Sequence, residues 1–284
     1  MKNLEEIIKK LSPPAEENRH ESIYKPPEKD ISSKISIIPE KGLFIKTKQR
    51  SHEKALWEFY MLYIWNKAFE RIMRKNKHLE IKIKVPKPYY LEIIDEDKAR
   101  LYMEFVPGLP IKKYSEKSKK EINSKKIKIK GKYRNLIEAI TFGLGILCRI
   151  KSDYCMFHGD MDFRHIFFDY ETLTLSLIDL EKAMFYHKEF SNIINKDELS
   201  VAVDIERHKV LNRYLKEKFS HLEEFNSLHY IFNLGSGCLK IKKHKNGEGM
   251  LRSIKNDFFE RYGEIENILQ STLKKIRDAL EGKY

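Results

Sequence analysis

The chain has 284 residues, of which 41% are hydrophobic, 12% aromatic and 34% charged, a folded composition and not a disordered one. Its 55 Lys and Arg against 42 Asp and Glu leave a net charge of +13, which favours anionic partners: nucleic acid, an acidic membrane surface or phosphate-bearing substrates. The charged opening Met1–Lys10 has no apolar signal-peptide core, no stretch is apolar enough to span a bilayer, and three cysteines without a CxxC spacing argue against a disulfide framework and for a reducing cytosol.

Residues 1–30 are polar, contain Pro13, Pro14, Pro26 and Pro27, and read as a short helix followed by irregular chain. Ile35–Ile38 and Leu43–Lys48 read as strands, with Pro39, Glu40, Lys41 and Gly42 as the turn between them. Ser51 suits a helix N-cap. The following segment, Glu53–Arg74, lacks Pro and Gly and spaces Leu56, Phe59, Tyr60, Tyr63, Ile64, Ala68 and Ile72 as a helix does, so these and the two tryptophans, Trp57 and Trp65, are candidate core. Val85–Ile94 and Arg100–Val106 read as strands around an Asp95–Glu96–Asp97 turn, and Pro107–Gly108 ends the second. Asn135–Ile150 reads as a buried helix. From 188 onwards the pattern is helical, broken between Gly235 and Gly249, with Gly235–Ser236–Gly237 as a helix-breaking loop. A strand-rich first part with one helix, then a helical part with a single short hairpin between 158 and 183, gives the class α+β with two lobes.

The charge is concentrated. Residues 111–134 hold ten Lys and one Arg against two Glu, 11 − 2 = +9 of the +13, so the other 260 residues carry +4. This low-complexity run reads as a solvated loop or linker. It equally suits contact with anionic lipid, worth about 1 kcal/mol per basic residue near a charged leaflet. As a nucleic-acid footprint it is poor in stacking aromatics, with Tyr114 and Tyr133 alone.

The most informative stretch is His158–Ala183, HGDMDFRHIFFDYETLTLSLIDLEKA. Ile166–Phe168 and Leu173–Ile178 form a hairpin through the turn Asp169–Tyr170–Glu171–Thr172. Asp160 and Asp179 then lie outside its two open strand ends and can face one site. Two carboxylates with His165 nearby have the makings of a Mg²⁺ and nucleophile-activation site, since Mg²⁺ takes carboxylates plus substrate phosphates and a free carboxylate can accept the proton of an attacking hydroxyl. Arg164 beside them is a candidate phosphate contact. His158 reads as structural.

The pattern HGD-x4-H … IDL-x2-A resembles the catalytic and metal-binding loops of the protein-kinase-like superfamily. His165 stands where most members carry Asn, and with the IDL-x2-A ending it resembles the lipopolysaccharide core heptose/Kdo kinases. The resemblance implies a protein-kinase-like bilobal fold: an N-terminal extension over 1–19, a small antiparallel β N-lobe with one helix over 20–106, and a mainly helical C-lobe over 107–284 that includes the Lys-rich segment 111–134. It implies ATP and Mg²⁺ as cofactors. Asp160 becomes the catalytic base, and Asp179 a metal ligand with His165 in place of the usual Asn. Lys46, after Leu43–Phe44–Ile45, becomes the strand lysine that grips the phosphates, with Lys48 as its neighbour. Glu58 becomes the helix carboxylate that holds it, with Glu53 as the alternative. In the segment LYMEFVPG, Met103 becomes the gatekeeper and the backbones of Glu104 and Val106 the adenine contacts. Asp204 takes the place of a helix Asp that braces the catalytic loop, and Asp257–Tyr262 resembles the C-terminal helix of the heptose kinases.

No GxGxxG precedes Lys46, so a phosphate-covering loop falls near Pro27–Lys34, with Ser32 and Ser33. The absence of a Walker A pattern argues against a P-loop kinase. The acceptor implied is a sugar hydroxyl, a heptose or Kdo of lipopolysaccharide inner core, with the Lys-rich segment meeting that anionic glycolipid at the inner face of the membrane. Two other readings stay open: a protein or tRNA-modification-associated atypical kinase, and a non-catalytic pseudokinase module whose basic segment is the contact.

Overall fold

The computed structural model describes residues 33–38, 42–49, 52–95, 98–186, 195–239 and 245–262. The expected N-terminal helix, the Ser51 cap and most of the expected phosphate-covering loop lie outside them. The fold is mixed α+β. Four antiparallel strands form the first sheet in the order β1 (Ser33–Ile38), β2 (Leu43–Gln49), β5 (Lys98–Glu104), β4 (Pro88–Asp95). Strand β5 buries Ala99, Leu101 and Met103 at every second position, as a sheet with one covered face requires.

That cover is helix α1 (His52–Lys75), which packs on β2, β4 and β5. A surface helix buries one stripe. Helix α1 instead buries every residue from Ala55 to Asn66, because helix α7 (Lys245–Tyr262) lies on its other side. Phe258 of α7 meets Tyr60 and Tyr63 edge-on, with centroids 4.8 and 5.2 Å apart, and Arg71 Nη2 pairs with Asp257 at 3.2 Å.

The second sheet has the order β3 (Lys82–Lys84), β11 (Thr174–Leu177), β10 (Ile166–Asp169), β6 (Leu109–Pro110). Strands β10 and β11 are the expected hairpin, β6 adds antiparallel to β10, and β3 runs parallel to β11. Within 158–183 this is the single hairpin expected, and two further pairings lie outside those bounds. β7 (Ile127–Ile129) also pairs with β8 (Lys132–Arg134), and β9 (Met156–Phe157) with β12 (Met184–Phe185).

Two sequence expectations are corrected here. Residues 111–134 are folded and are not a solvated loop or linker. They make α2 (Ile111–Ser115), α3 (Lys119–Ser124, capped by a Ser118/Glu121 box) and the β7–β8 hairpin. The reason is the apolar residues spaced among the lysines: Ile111, Tyr114, Ile122, Ile127 and Ile129 are all buried. The hairpin closes through Lys130 and Gly131, both at positive φ (50° and 77°), the backbone of a two-residue type I′ turn.

The second concerns Gly235–Gly237, which lie inside helix α6 (Phe225–Gly237) and not in a loop. Helix α6 crosses α4 (Leu136–Asp153), the buried helix expected from sequence. A Cβ on Gly235 would sit 2.1 Å from the carbonyl oxygen of Phe142, and one on Gly145 would sit 2.0 Å from that of Phe232. These glycines let two helix backbones touch; they do not break a helix.

Candidate active site

Strand period puts Lys46 and Lys48 on one face of β2, towards α1 and the chain after β11. Lys46 Nζ lies 2.7 Å from Asp179 Oδ1 and 3.2 Å from Glu58 Oε1. Lys48 Nζ lies 2.7 Å from Glu58 Oε2 and 2.8 Å from Glu181 Oε2. Glu58 is 1% exposed and sits mid-helix among aromatics, so its charge needs both ammoniums. The helix carboxylate that meets Lys46 is thus Glu58 and not Glu53. A Trp57 Nε1–H bond to the Ala183 carbonyl (3.1 Å) ties α1 to the same segment. Burial opposes the charge on Lys46, but Glu58 and then Asp179 outweigh it, and its pKa rises above the ordinary lysine value. Burial likewise opposes the charge on Asp179, but Lys46, with Lys48 and His165 beside it, outweighs that, so this carboxyl is held well below the usual range. Asp179 adopts φ +62°, rare for a non-glycine residue and of the kind that clusters at functional sites.

The His158–His165 loop is fixed from below. His158 is fully buried. Its Nε2 faces the Ile178 carbonyl at 2.9 Å and its Nδ1 receives the Asp160 amide at 3.3 Å. Only the neutral tautomer with hydrogen on Nε2 makes both bonds, in line with a pKa pushed below the ordinary value by burial. Glu206 of helix α5 (Lys196–His208) accepts the amides of His158 (3.2 Å) and Gly159 (2.8 Å), and also pairs with buried Lys151 of α4. Burial penalises the Glu206 charge, but Lys151 together with the hydrogen bonds it and His158 donate outweighs that, and its pKa falls. The brace expected at Asp204 is therefore Glu206; Asp204 itself is exposed. Tyr214, in the π-helical stretch Lys209–Lys216, stacks on Phe163 at 3.9 Å and donates to the Met161 carbonyl at 3.0 Å, a third support for the loop.

Asp160 stands at the open edge of this frame, with 45% of its side chain exposed and Lys182 Nζ 3.8 Å from its Oδ2. His165 Nδ1 lies 3.0 Å from the Asp160 carbonyl, which can only accept, so this nitrogen carries hydrogen. In the neutral ring Nε2 then presents its lone pair towards Asp179 Oδ2, 3.6 Å away. Two acceptors facing each other fit a cation shared between them. Arg164, a candidate phosphate contact, is instead paired with Asp162 (Nε to Oδ1, 3.1 Å).

Met103 is buried in β5 beside Phe44, its register partner. The Glu104 amide donates to the Lys87 carbonyl and the Phe105 amide to that of Gly42. The Val106 amide makes no backbone bond among the described residues. The Glu104 side chain is held by Lys84 and by the Lys87 amide.

The structure brings Lys46, Glu58, Asp179 and His165 into one chain of contacts, and His165 Nδ1 meets the Asp160 carbonyl. The sequence names Lys48 only as the neighbour of Lys46, and it misses Glu181, Lys151, Glu206 and Lys182. Glu58, Asp179 and Glu181 bring carboxylate oxygens within 4.8 Å of one another, an all-oxygen donor set that suits Mg²⁺ better than softer metals.

No helix among the described residues is long and apolar enough to cross a membrane. No protein-family model matches the chain, and no curated protein matches it. Among solved structures the chain is similar to the bifunctional kinase-methyltransferase WbdD, with 13% sequence identity and a TM-score of 0.35 over 80% of this chain. The chain spans 47% of that protein, about half its length.

Proposed function

We propose that the chain is an ATP-dependent phosphotransferase of bilobal, protein-kinase-like form that phosphorylates a sugar hydroxyl. One observation carries the reading: Lys46 of the first sheet meets Asp179, 133 residues later, at 2.7 Å, with Glu58 behind it and His165 linking Asp179 to the Asp160 carbonyl. Strand lysine, helix carboxylate, metal-type carboxylate and exposed base are the parts that phosphoryl transfer by positioning and electrostatics requires.

Each part has a task. Lys46 grips the phosphates, and Glu58 holds Lys46 in place. Met103 and the backbones of Glu104 and Val106 seat the adenine. Asp160 orients the acceptor hydroxyl and takes its proton on a carboxylate oxygen. Lys182 places positive charge beside that oxygen. Asp179, with His165 Nε2, would hold Mg²⁺, which when bound neutralises charge on the phosphate oxygens.

The acceptor we infer is a heptose or Kdo of a lipopolysaccharide inner core, an anionic glycolipid. It is supported by the HGD-x4-H … IDL-x2-A resemblance and by a folded basic face. Lys112, Lys119, Lys120, Lys126, Lys128 and Lys132 are exposed and have no carboxylate partner within 4.0 Å among the described residues. Lys128 pairs across the hairpin with Tyr133, 72% exposed, a basic and amphipathic surface that suits a lipid headgroup layer. Tyr114 bonds the Phe168 carbonyl and the Lys130 amide bonds Glu80, which puts the α3 and β7–β8 part of this face towards the Asp169 end of β10, while the Lys112 amide bonds the Phe163 carbonyl within the His158–His165 loop. The α3 and hairpin lysines would hold the enzyme on a surface, with Lys112 nearest the transfer site.

The test is transfer from radiolabelled ATP offered dephosphorylated lipopolysaccharide core, a generic protein and RNA in parallel. Label in the glycolipid is expected. Label confined to protein or RNA would refute the sugar acceptor.

A further inference from the structure

The ammonium of Lys48 sits between two carboxylates as a metal ion would. It contacts Glu58 Oε2 at 2.7 Å and Glu181 Oε2 at 2.8 Å. Lys48 is buried, so this charge is a fixed part of the site. Each Glu58 oxygen already faces an ammonium, Oε1 that of Lys46 and Oε2 that of Lys48, the latter as an ion contact without hydrogen-bond geometry. The three clustered carboxylates and two ammoniums sum to −3 + 2 = −1. One divalent cation that also shares phosphate oxygens fits that balance. A second would face an ammonium at hydrogen-bonding distance from two of its three carboxylates. Like charges repel strongly in a partly buried site, and an ammonium repels a divalent ion twice as strongly as a monovalent one.

We propose that Lys48 is a resident cation that replaces a second metal ion between Glu58 and Glu181, so that the site works with a single divalent ion at Asp179. The inference rests on the phosphotransferase reading for its purpose but not for its test. Lys48 acts as a positioning residue: it keeps Glu58 and Glu181 neutralised when Lys46 turns from Asp179 to the phosphates.

The test is Mn²⁺ titration of the full chain, followed by the electron paramagnetic resonance of the free ion, with and without a non-hydrolysable ATP analogue. Wild type and Lys48→Arg are expected to bind one Mn²⁺ in the analogue complex. Lys48→Met is expected to bind one more than wild type in either condition, with at least tenfold tighter affinity at that place. Adding Glu181→Gln to Lys48→Met should abolish the gain. Glu181→Gln alone, a milder change at a half-buried side chain, should leave the wild-type count at one, and it decides the matter if Lys48→Met does not fold. Two Mn²⁺ in wild type, or a count that falls in Glu181→Gln, or no gain in a folded Lys48→Met, would overturn the proposal. Failure to bind the analogue would count against the phosphotransferase reading, while the analogue-free comparison of wild type with Lys48→Met still decides this one.

Discussion

Glu206 Oε1 accepts the backbone amide of Gly159 at 2.8 Å across 47 residues of sequence, and so fixes the residue next to the proposed base. The other oxygen of the same carboxylate pairs with Lys151, and both side chains are buried. Removing one partner strands the other charge. Glu206→Ala is expected to cost about 3–5 kcal/mol, read as a lower urea midpoint. Lys151→Met with Glu206→Leu should recover much of that stability, because a buried ion pair replaced by apolar volume is often neutral. It should not recover transfer, because the His158 and Gly159 amides remain unheld. A double variant as active as wild type would show that the brace is dispensable.

Acid should destabilise the protein in two windows. His158 is buried neutral and its pKa is depressed from the ordinary 6.5, so its contribution is complete above that pH and declines as pH falls below it. Asp179, Glu181 and Glu206 have folded pKa values below their ordinary 3.8, 4.5 and 4.5. Their contributions are present above those values and are lost as pH falls through the folded ones. Urea unfolding from pH 8 to pH 3 should show stability falling first below about 6.5 and more steeply below about 4.5. Glu206→Gln should flatten the lower window. A stability maximum near pH 4 would contradict the assignment.

Gly159 has φ +81°, and a Cβ there would lie 2.3 Å from the Lys182 carbonyl oxygen. Gly159→Ala therefore meets both an unfavourable backbone and a clash. A residue held in such a region costs on the order of 1–3 kcal/mol, and the His158–Asp160 turn should shift. Transfer is expected to drop by at least tenfold while helicity by circular dichroism is kept. Wild-type turnover in this variant would show that the turn does not need its present shape.

The basic face gives a separate expectation. Replacing Lys119, Lys120, Lys126 and Lys128 with Gln should weaken sedimentation with anionic vesicles by about 1 kcal/mol per charge. Raising salt should weaken the wild type in the same way. ATP binding should not change, since these lysines lie towards the Asp169 end of β10. Equal binding to zwitterionic vesicles would contradict an electrostatic contact.

Much of the cleft is legible in the sequence because its residues sit at strand ends and on strong periodic elements. Asp160 and Asp179 flank a hairpin whose turn and alternation are plain, and Lys46 follows an apolar strand. The brace lies two positions beyond Asp204, at Glu206, and the helix explains why. Each residue turns about 100°, so Asp204 and Glu206 face opposite ways. The spacing Leu199, Val203, Glu206 marks the buried face and was the signal available. Lys48 and Glu181 follow Lys46 and Asp179 by two, and the strand period puts Lys48 beside Lys46, yet only the fold shows the two residues meeting. The lysines of 111–134 conceal five buried apolar residues, because mean composition over a segment hides the alternation that folds it.

The most direct test of the phosphotransferase reading is single-turnover transfer from ATP with Asp160→Asn beside wild type, together with nucleotide affinity for both. Asp160 is half-exposed and braces nothing by its side chain, so the variant should fold and bind nucleotide within about threefold of wild type while transfer falls by 10²–10⁴, the usual worth of a positioned base. Undiminished transfer in Asp160→Asn, or a wild type that neither binds ATP nor transfers phosphate, would contradict it.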